Sequence, residues 1–287
     1  MCAFPAASTG GIPVPVEMLK KQLVSELDKV NWDKESLKEL DIFCAGSFFN
    51  DDELPPEVRA FTFETAKKLT GIKKVLVESR PEYITEEKIT AAIDMLGPDI
   101  EFEVAIGLES SSSRVRDDII NKGFGLKEFE TALKIIGKTD ASLLVYILLK
   151  PPGISEKEAY YDTLATVKYV FKEGKEHQIN KVTTAIQPAF VQREGYLHDI
   201  YVEGNYRPPW LWTVVKLIKA VHSLGEMQIG TSEDYPPPIA VRFNCPLCND
   251  DIEAAIEKFN QTQDVSDFET IECQCKKKWT RETELKL

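Results

Sequence analysis

The 287-residue sequence has no apolar run approaching the roughly 20 residues that a bilayer crossing needs, and its N-terminus lacks the basic-then-apolar order of a secretory signal. These absences argue against a helix-spanning or exported protein, and the expected compartment is the cytoplasm. Histidine is scarce: His177, His198 and His222 have no metal-type spacing and receive no role. Positive charge is also in deficit. A formal net charge of −12 excludes a surface that binds nucleic acid all over, because phosphate neutralisation needs concentrated lysine and arginine. A local basic patch remains open at Lys276-Lys277-Lys278-Trp279-Thr280-Arg281, with a solvated tail as the alternative. No repeat at a solenoid period and no long low-complexity tract occurs.

What is present is an ordinary globular composition, 43% hydrophobic and 29% charged, enough for a substantial core. Short β-rich runs alternate with helical patterns for most of the chain, as expected of βα units around a parallel sheet. The predicted strands are Leu40 to Cys44, Lys74 to Glu78, Glu101 to Gly107, Leu143 to Leu149 and Lys181 to Gln187, with a short one from Met227 to Gly230. Leu19, Leu23, Leu27 and Val30 form an apolar helical stripe before the first of them. Pro55 and Pro56 open a second helix that Gly71 closes, and Ser155 with Glu158 makes a capping box ahead of a helix through Val170. The opening MCAFPAASTGGIPVP reads as a loop leading straight into a helix, so a first strand is missing. The proline-rich Asp234 to Pro238 marks the expected boundary between residues 1–235 and 236–287.

Six cysteines are present, and four of them crowd into CPLC (Cys245, Cys248) and CQC (Cys273, Cys275), 24 residues apart. Two short thiolate knuckles suit a closed tetrahedral zinc site, with an iron-sulfur cluster as the weaker competitor. Cys44, at the end of a buried strand, reads as a core residue. The tryptophans of Arg207-Pro208-Pro209-Trp210-Leu211-Trp212 open an apolar helix, where packing is commoner than stacking on a partner.

Cys2 takes its meaning from context: Met1-Cys2-Ala3-Phe4-Pro5, a small-residue loop, a helix, then a strand running into Cys44-Ala45-Gly46-Ser47-Phe48. In this the chain resembles the radical S-adenosylmethionine superfamily. Within it, CAFPAAS, GSFFNDDELPPEVR, VESRPEYIT, GLESSSSRVRDDIINKGF, LLKPPGISEKEA and the four-cysteine ending resemble the radical enzymes of archaeosine biosynthesis, and more distantly the elongator catalytic subunit. The resemblance implies a partial (β/α)6 barrel of the α/β class lacking its first strand, followed by a small zinc module. It implies that Cys2 is the third ligand of a 4Fe-4S cluster whose other cysteines lie three and seven positions upstream, in a longer reading frame. S-adenosylmethionine would be held by Gly46 and Ser47, by Glu78 and Arg80, and by Glu109, although Gly46-Ser47-Phe48 departs from the family's Gly-Gly-Glu turn. Strand C-termini are also where a β/α barrel builds its site on physical grounds. A salt-bridged rim is the bland alternative for Glu78, Arg80 and Glu109. The implied activity is that of a lyase acting on tRNA, breaking a C–N bond of a lysine attached to a deazaguanine base. The implied partners are a transglycosylase-related archaeosine synthase subunit, the tRNA and a reductant for the cluster. Two other readings stay open: a related radical enzyme for another tRNA base, and a non-catalytic scaffold.

Overall fold

The computed structural model describes residues 9, 11–32, 37–44, 46–231 and 237–287. Cys2 and the Asp234-Tyr235-Pro236 part of the expected boundary lie outside the described residues. Six strands form one sheet in sequential order with every pairing parallel: β1 (Glu39–Ile42), β2 (Lys74–Glu78), β3 (Glu101–Glu109), β4 (Ser142–Leu149), β5 (Val182–Pro188) and β6 (Glu226–Ile229). The sheet curls into a half-barrel whose edges are β1 and β6. Among the described residues α1 (Val16–Leu27) precedes the sheet and no strand precedes α1.

Helices fill the crossovers: α2 (Pro56–Ala66), α3 (Glu86–Leu96), α4 (Leu126–Ile136), α5 (Glu156–Glu176), α6 (Tyr196–Val202) and α7 (Leu211–Val221). Strand alternation sorts the side chains into two populations. Val75, Val77, Phe102, Val104, Ile106, Leu143, Val145 and Ile147 point outward into the main core beneath the helices. Leu76, Ala105, Leu144 and Ala185 form a separate, small apolar layer on the concave face, with Tyr146 packed against it.

The predicted strands are present with ends shifted by up to two residues, and the Ser155–Glu158 capping box starts α5. The helix opened by Pro55 and Pro56 stops earlier than expected. At Ala66 the N–H of Lys67 bonds Phe63, tight turns at Lys68 and Leu69 follow, and Gly71, at φ +90°, turns the chain into β2. A π-helical turn, Arg114–Ile119, follows β3 where no element was anticipated.

Beyond residue 237 come α8 (Asn249–Thr262), α9 (Asp267–Thr270) and α10 (Cys275–Thr283). Ile252, Ile256, Phe259, Phe268 and Trp279 from this segment join the main core. Helix α8 also covers the open edge of β6. Asn260 accepts from the Ile229 N–H at 2.8 Å and donates to its carbonyl at 2.9 Å; Gln263 does the same for Met227 at 3.0 and 2.8 Å. Two side-chain amides thus satisfy an edge that would otherwise pair with another strand.

Candidate cofactor site and four-cysteine metal centre

The C-terminal ends of β1 to β4 converge on one polar cluster. After β1 the chain turns at Gly46-Ser47, and the Glu53 carboxylate folds back beneath that turn to accept from the Ser47 N–H at 2.7 Å and from Asn50 Nδ2 at 2.6 Å. A Cβ at Gly46 would lie 1.4 Å from Glu53 Oε2, so only glycine admits this carboxylate. The turn whose sequence departs from Gly-Gly-Glu therefore receives a glutamate from further along the chain. Ser47 is buried, and its Oγ accepts from the Arg80 N–H at 3.2 Å while the Phe48 N–H bonds the Glu78 carbonyl at 2.8 Å, which ties the turn to the end of β2.

On β2, Glu78 faces the concavity and takes a hydrogen bond from the Tyr146 phenol of β4. Burial, and secondarily the charge of Glu109, raise the Glu78 carboxyl above the usual carboxylate range against the opposing effects of Tyr146 and Lys122. On β3 a bulge between Gly107 and Glu109 puts Glu109 at φ +66°, and its carboxylate pairs with Lys122 Nζ at 2.8 Å. A Cβ on Gly107 would come within 2.7 Å of both partners. Arg80 behaves differently from the other sequence-predicted residues. Its guanidinium bonds Glu82 at 2.6 Å and the carbonyls of Lys122 and Gly123 at 3.1 and 3.3 Å, and lies 5.3 Å from the Phe124 ring centroid. Arg80 braces the loop that carries Lys122.

The structure thus brings Gly46, Ser47, Glu78, Arg80 and Glu109 into one region and adds four residues that sequence reasoning missed: Glu53, Lys122, Tyr146 and Arg116. The last of these is buried in the π-helical turn, and its guanidinium reaches the carbonyls of Ser110, Ser111 and Phe124 at 3.3 to 3.4 Å. Lys122 lies three residues beyond the end of the π-helical turn, so its place could not be inferred from strand periodicity. Cys44 packs against the main core, and burial, reinforced by Glu78, pushes its thiol up to about 11.

The second site is the four-cysteine centre. The CPLC knuckle closes at the start of α8, where the N–H groups of Cys248 and Asn249 bond the Cys245 carbonyl, and the CQC knuckle leads into α10. The sulfurs of Cys245, Cys248, Cys273 and Cys275 all lie within 4.8 Å of one another, with contacts of 3.7, 3.5 and 3.5 Å. A tetrahedral ion with metal–sulfur bonds of about 2.3 Å places its sulfurs about 3.8 Å apart. The cage therefore fits a single ion and is too tight for a multi-iron cluster. Burial acts to raise the thiols of Cys245, Cys248 and Cys275. At Cys245 the Leu247 N–H and the neighbouring sulfurs outweigh it and lower the thiol to about 7, whereas Cys275 is pushed up to about 11. Four ionised sulfurs this close require a cation between them. Trp212 Nε1 donates to Cys275 Sγ at 3.1 Å and Trp279 Nε1 to Thr213 Oγ1 at 2.9 Å, so both tryptophans serve to dock the cage on α7.

No family model matches the chain. Among characterised sequences it is 31% identical over 291 aligned residues to the archaeosine synthase subunit beta of Thermococcus kodakarensis, covering 97% of this chain and 84% of that protein. It is 32% identical over 250 residues to the protein of the same name from Methanosarcina acetivorans, covering 85% of this chain and 68% of that one. The chain belongs to the archaeosine synthase subunit beta family. Among solved structures, an N-terminally truncated Elp3 from Methanocaldococcus infernus aligns with a TM-score of 0.55 at 16% identity, covering 85% of this chain and 58% of that one. At that identity the likeness concerns the fold alone, a parallel α/β half-barrel. No described helix is long and apolar enough to cross a membrane.

Proposed function

We propose that this chain is the radical S-adenosylmethionine subunit of an archaeosine synthase, and that it breaks a C–N bond of a lysine carried by a deazaguanine base in tRNA to leave archaeosine. The observation that carries this reading is the 31% identity extending over 97% of the chain to a subunit of that name. Its partners would be a transglycosylase-related archaeosine synthase subunit, which holds most of the tRNA, and a reductant.

The described residues at the strand ends suit a zwitterionic amino-acid cofactor. Glu78 and Glu109 bring two carboxylates to one ammonium, that of Lys122, and the raised Glu78 carboxyl marks a place short of positive charge. An ammonium group of S-adenosylmethionine would meet that need, with Gly46 and Ser47 offering turn backbone, Arg80 bracing the Lys122 loop, and Glu109 positioned for the ribose. Cys2 would be one cysteine ligand of the 4Fe-4S cluster. With its cluster, the cofactor supplies one-electron chemistry that removes a hydrogen atom from the substrate. The chain's own residues bind and orient; the apolar layer of Leu76, Ala105, Leu144 and Ala185 closes the floor beneath the strand ends against water. We assign zinc to the four-cysteine cage and treat residues 236–287 as a metal-clipped appendage to the barrel of residues 1–235.

The test is anaerobic reconstitution of the full-length gene product with its synthase partner and tRNA bearing the lysine-modified base, followed by mass spectrometry of the digested nucleosides. Archaeosine together with released methionine is expected. A full-length protein that stays iron-free and colourless removes the radical mechanism, and a different modified nucleoside moves the chain to another tRNA base.

A further inference from the structure

A group of cationic side chains lies on and beside α10, outside the cluster at the strand ends. A shallow concavity beside the metal cage is lined by Glu272, Cys273, Lys276, Lys277, Thr280, Arg281, Lys286 and Leu287, which gives four cationic side chains and one acidic one, with Lys276 meeting Glu272 at 3.8 Å. Lys277, Arg281 and Lys286 are exposed, and among the described residues none has an ion-pair partner at its side-chain charge. The neighbouring acids are already paired: Glu282 meets Arg207 at 3.4 Å and Lys278 at 3.6 Å, and Glu284 pairs with Lys157 at 2.6 Å.

The pairs with Arg207 and Lys157 also locate the helix. Lys157 lies in the first turn of α5, and Arg207 leads into the start of α7. The Trp210 N–H at the head of α7 bonds Glu156 Oε1 at 2.8 Å, and Glu156 Oε2 pairs at 2.7 Å with Lys150, the residue that follows β4. Thus α10 lies across the heads of α5 and α7 at the same end of the barrel as the strand C-termini, where substrate must arrive. The metal cage fixes this arrangement, since α10 begins at Cys275 and Trp279 is buried beneath it.

We propose that the cationic face of α10, set by Lys276, Lys277, Arg281 and Lys286, is the surface on which this chain docks the phosphate backbone of tRNA. The proposal rests on the function proposed above. Charge complementarity carries it: on a body of net charge −12 a polyanion is repelled everywhere except where cations concentrate, and the concentration sits at the working rim. An acidic partner protein is the competing occupant, which the experiment separates.

The experiment measures binding of unmodified tRNA to the full-length chain by fluorescence anisotropy between 50 and 300 mM KCl, with two charge-matched variants. K277E/R281E alters the proposed surface; K134E/K168E makes the same charge change on exposed positions of α4 and α5 away from the rim. All four positions are exposed, and near-ultraviolet circular dichroism and metal content check that the fold is kept. The expectation is a loss of about tenfold or more in affinity for K277E/R281E, and a salt dependence shallower by about 0.7 to 0.9 per cation removed. K134E/K168E should stay within about twofold of wild type. Equal weakening by both variants, no effect of either, or no salt-dependent binding by the wild-type chain overturns the proposal. So does a K277E/R281E variant that binds tRNA normally but no longer associates with the synthase partner. If the wild-type complex makes archaeosine while K277E/R281E keeps its KM for tRNA, the docking surface fails and the proposed function stands.

Discussion

At the scale of single residues, the candidate site is governed by how few positive groups face its carboxylates. The Glu78 carboxyl is raised because burial, and then Glu109, disfavour its charge. The folded protein therefore keeps a proton that the unfolded chain releases as the pH rises past the ordinary carboxylate range. The stability linked to this group is fully present below that range and is lost as the pH rises through the elevated value. Glu78→Gln keeps the shape and removes the ionisation, so its melting temperature should exceed that of wild type at pH 8 and match it near pH 4, as read by thermal melts across pH. A variant less stable than wild type at pH 8 would mean that Lys122 and Tyr146 stabilise the carboxylate outright. Under the proposed function the same substitution weakens S-adenosylmethionine binding, so stability and activity should move in opposite directions.

At the scale of elements, α8 has two tasks, starting the metal cage at Cys248 and finishing the sheet at β6. Asn260, in the last turn of α8, and Gln263, its C-cap, stand three residues apart and engage Ile229 and Met227, two residues apart on one strand edge. A helix turn and two strand residues span similar distances, which is why side-chain amides can take the place of a seventh strand here. Asn260→Ala with Gln263→Ala leaves two N–H and two C=O groups without these partners. With each unmet buried group costing about 1 to 3 kcal/mol and water recovering part of it, the double variant should lose about 2 to 4 kcal/mol in urea denaturation. A loss below about 0.5 kcal/mol would show that the β6 edge is adequately solvated without α8.

At the scale of the whole molecule, the cage ties the far end of the chain to the barrel. Trp212 and Trp279 are both almost completely buried, one bonded to a cage sulfur and the other to Thr213. Metal analysis should find one zinc per chain in this cage. Chelation, or Cys273→Ser, should loosen α10, shift tryptophan emission to the red and lower the melting temperature while leaving the β-sheet circular dichroism largely in place. An unchanged melting temperature after complete metal removal would mean that Ile252, Phe259 and Trp279 hold the segment by packing alone. Because α10 also presents the proposed tRNA surface, metal loss should reduce tRNA affinity along with stability.

The order of the six strands, the capping box of α5 and the tetrad of cysteines were all legible in the sequence, because each depends on local pattern: short β-rich runs alternating with helical ones, a Ser-x-x-Glu step and two short knuckles. Spacing also placed Glu78 and Glu109 at strand ends. What it could not supply was which groups meet across the fold. The Glu53 carboxylate under Gly46, the Tyr146 phenol on Glu78, the reach of Lys122 from the π-helical turn and the role of Arg80 as a brace all join segments that only the curvature of the sheet brings together. The tertiary structure likewise decided that the cage is sized for one ion and that α10 lies at the rim, since both depend on distances in space between residues far apart along the chain.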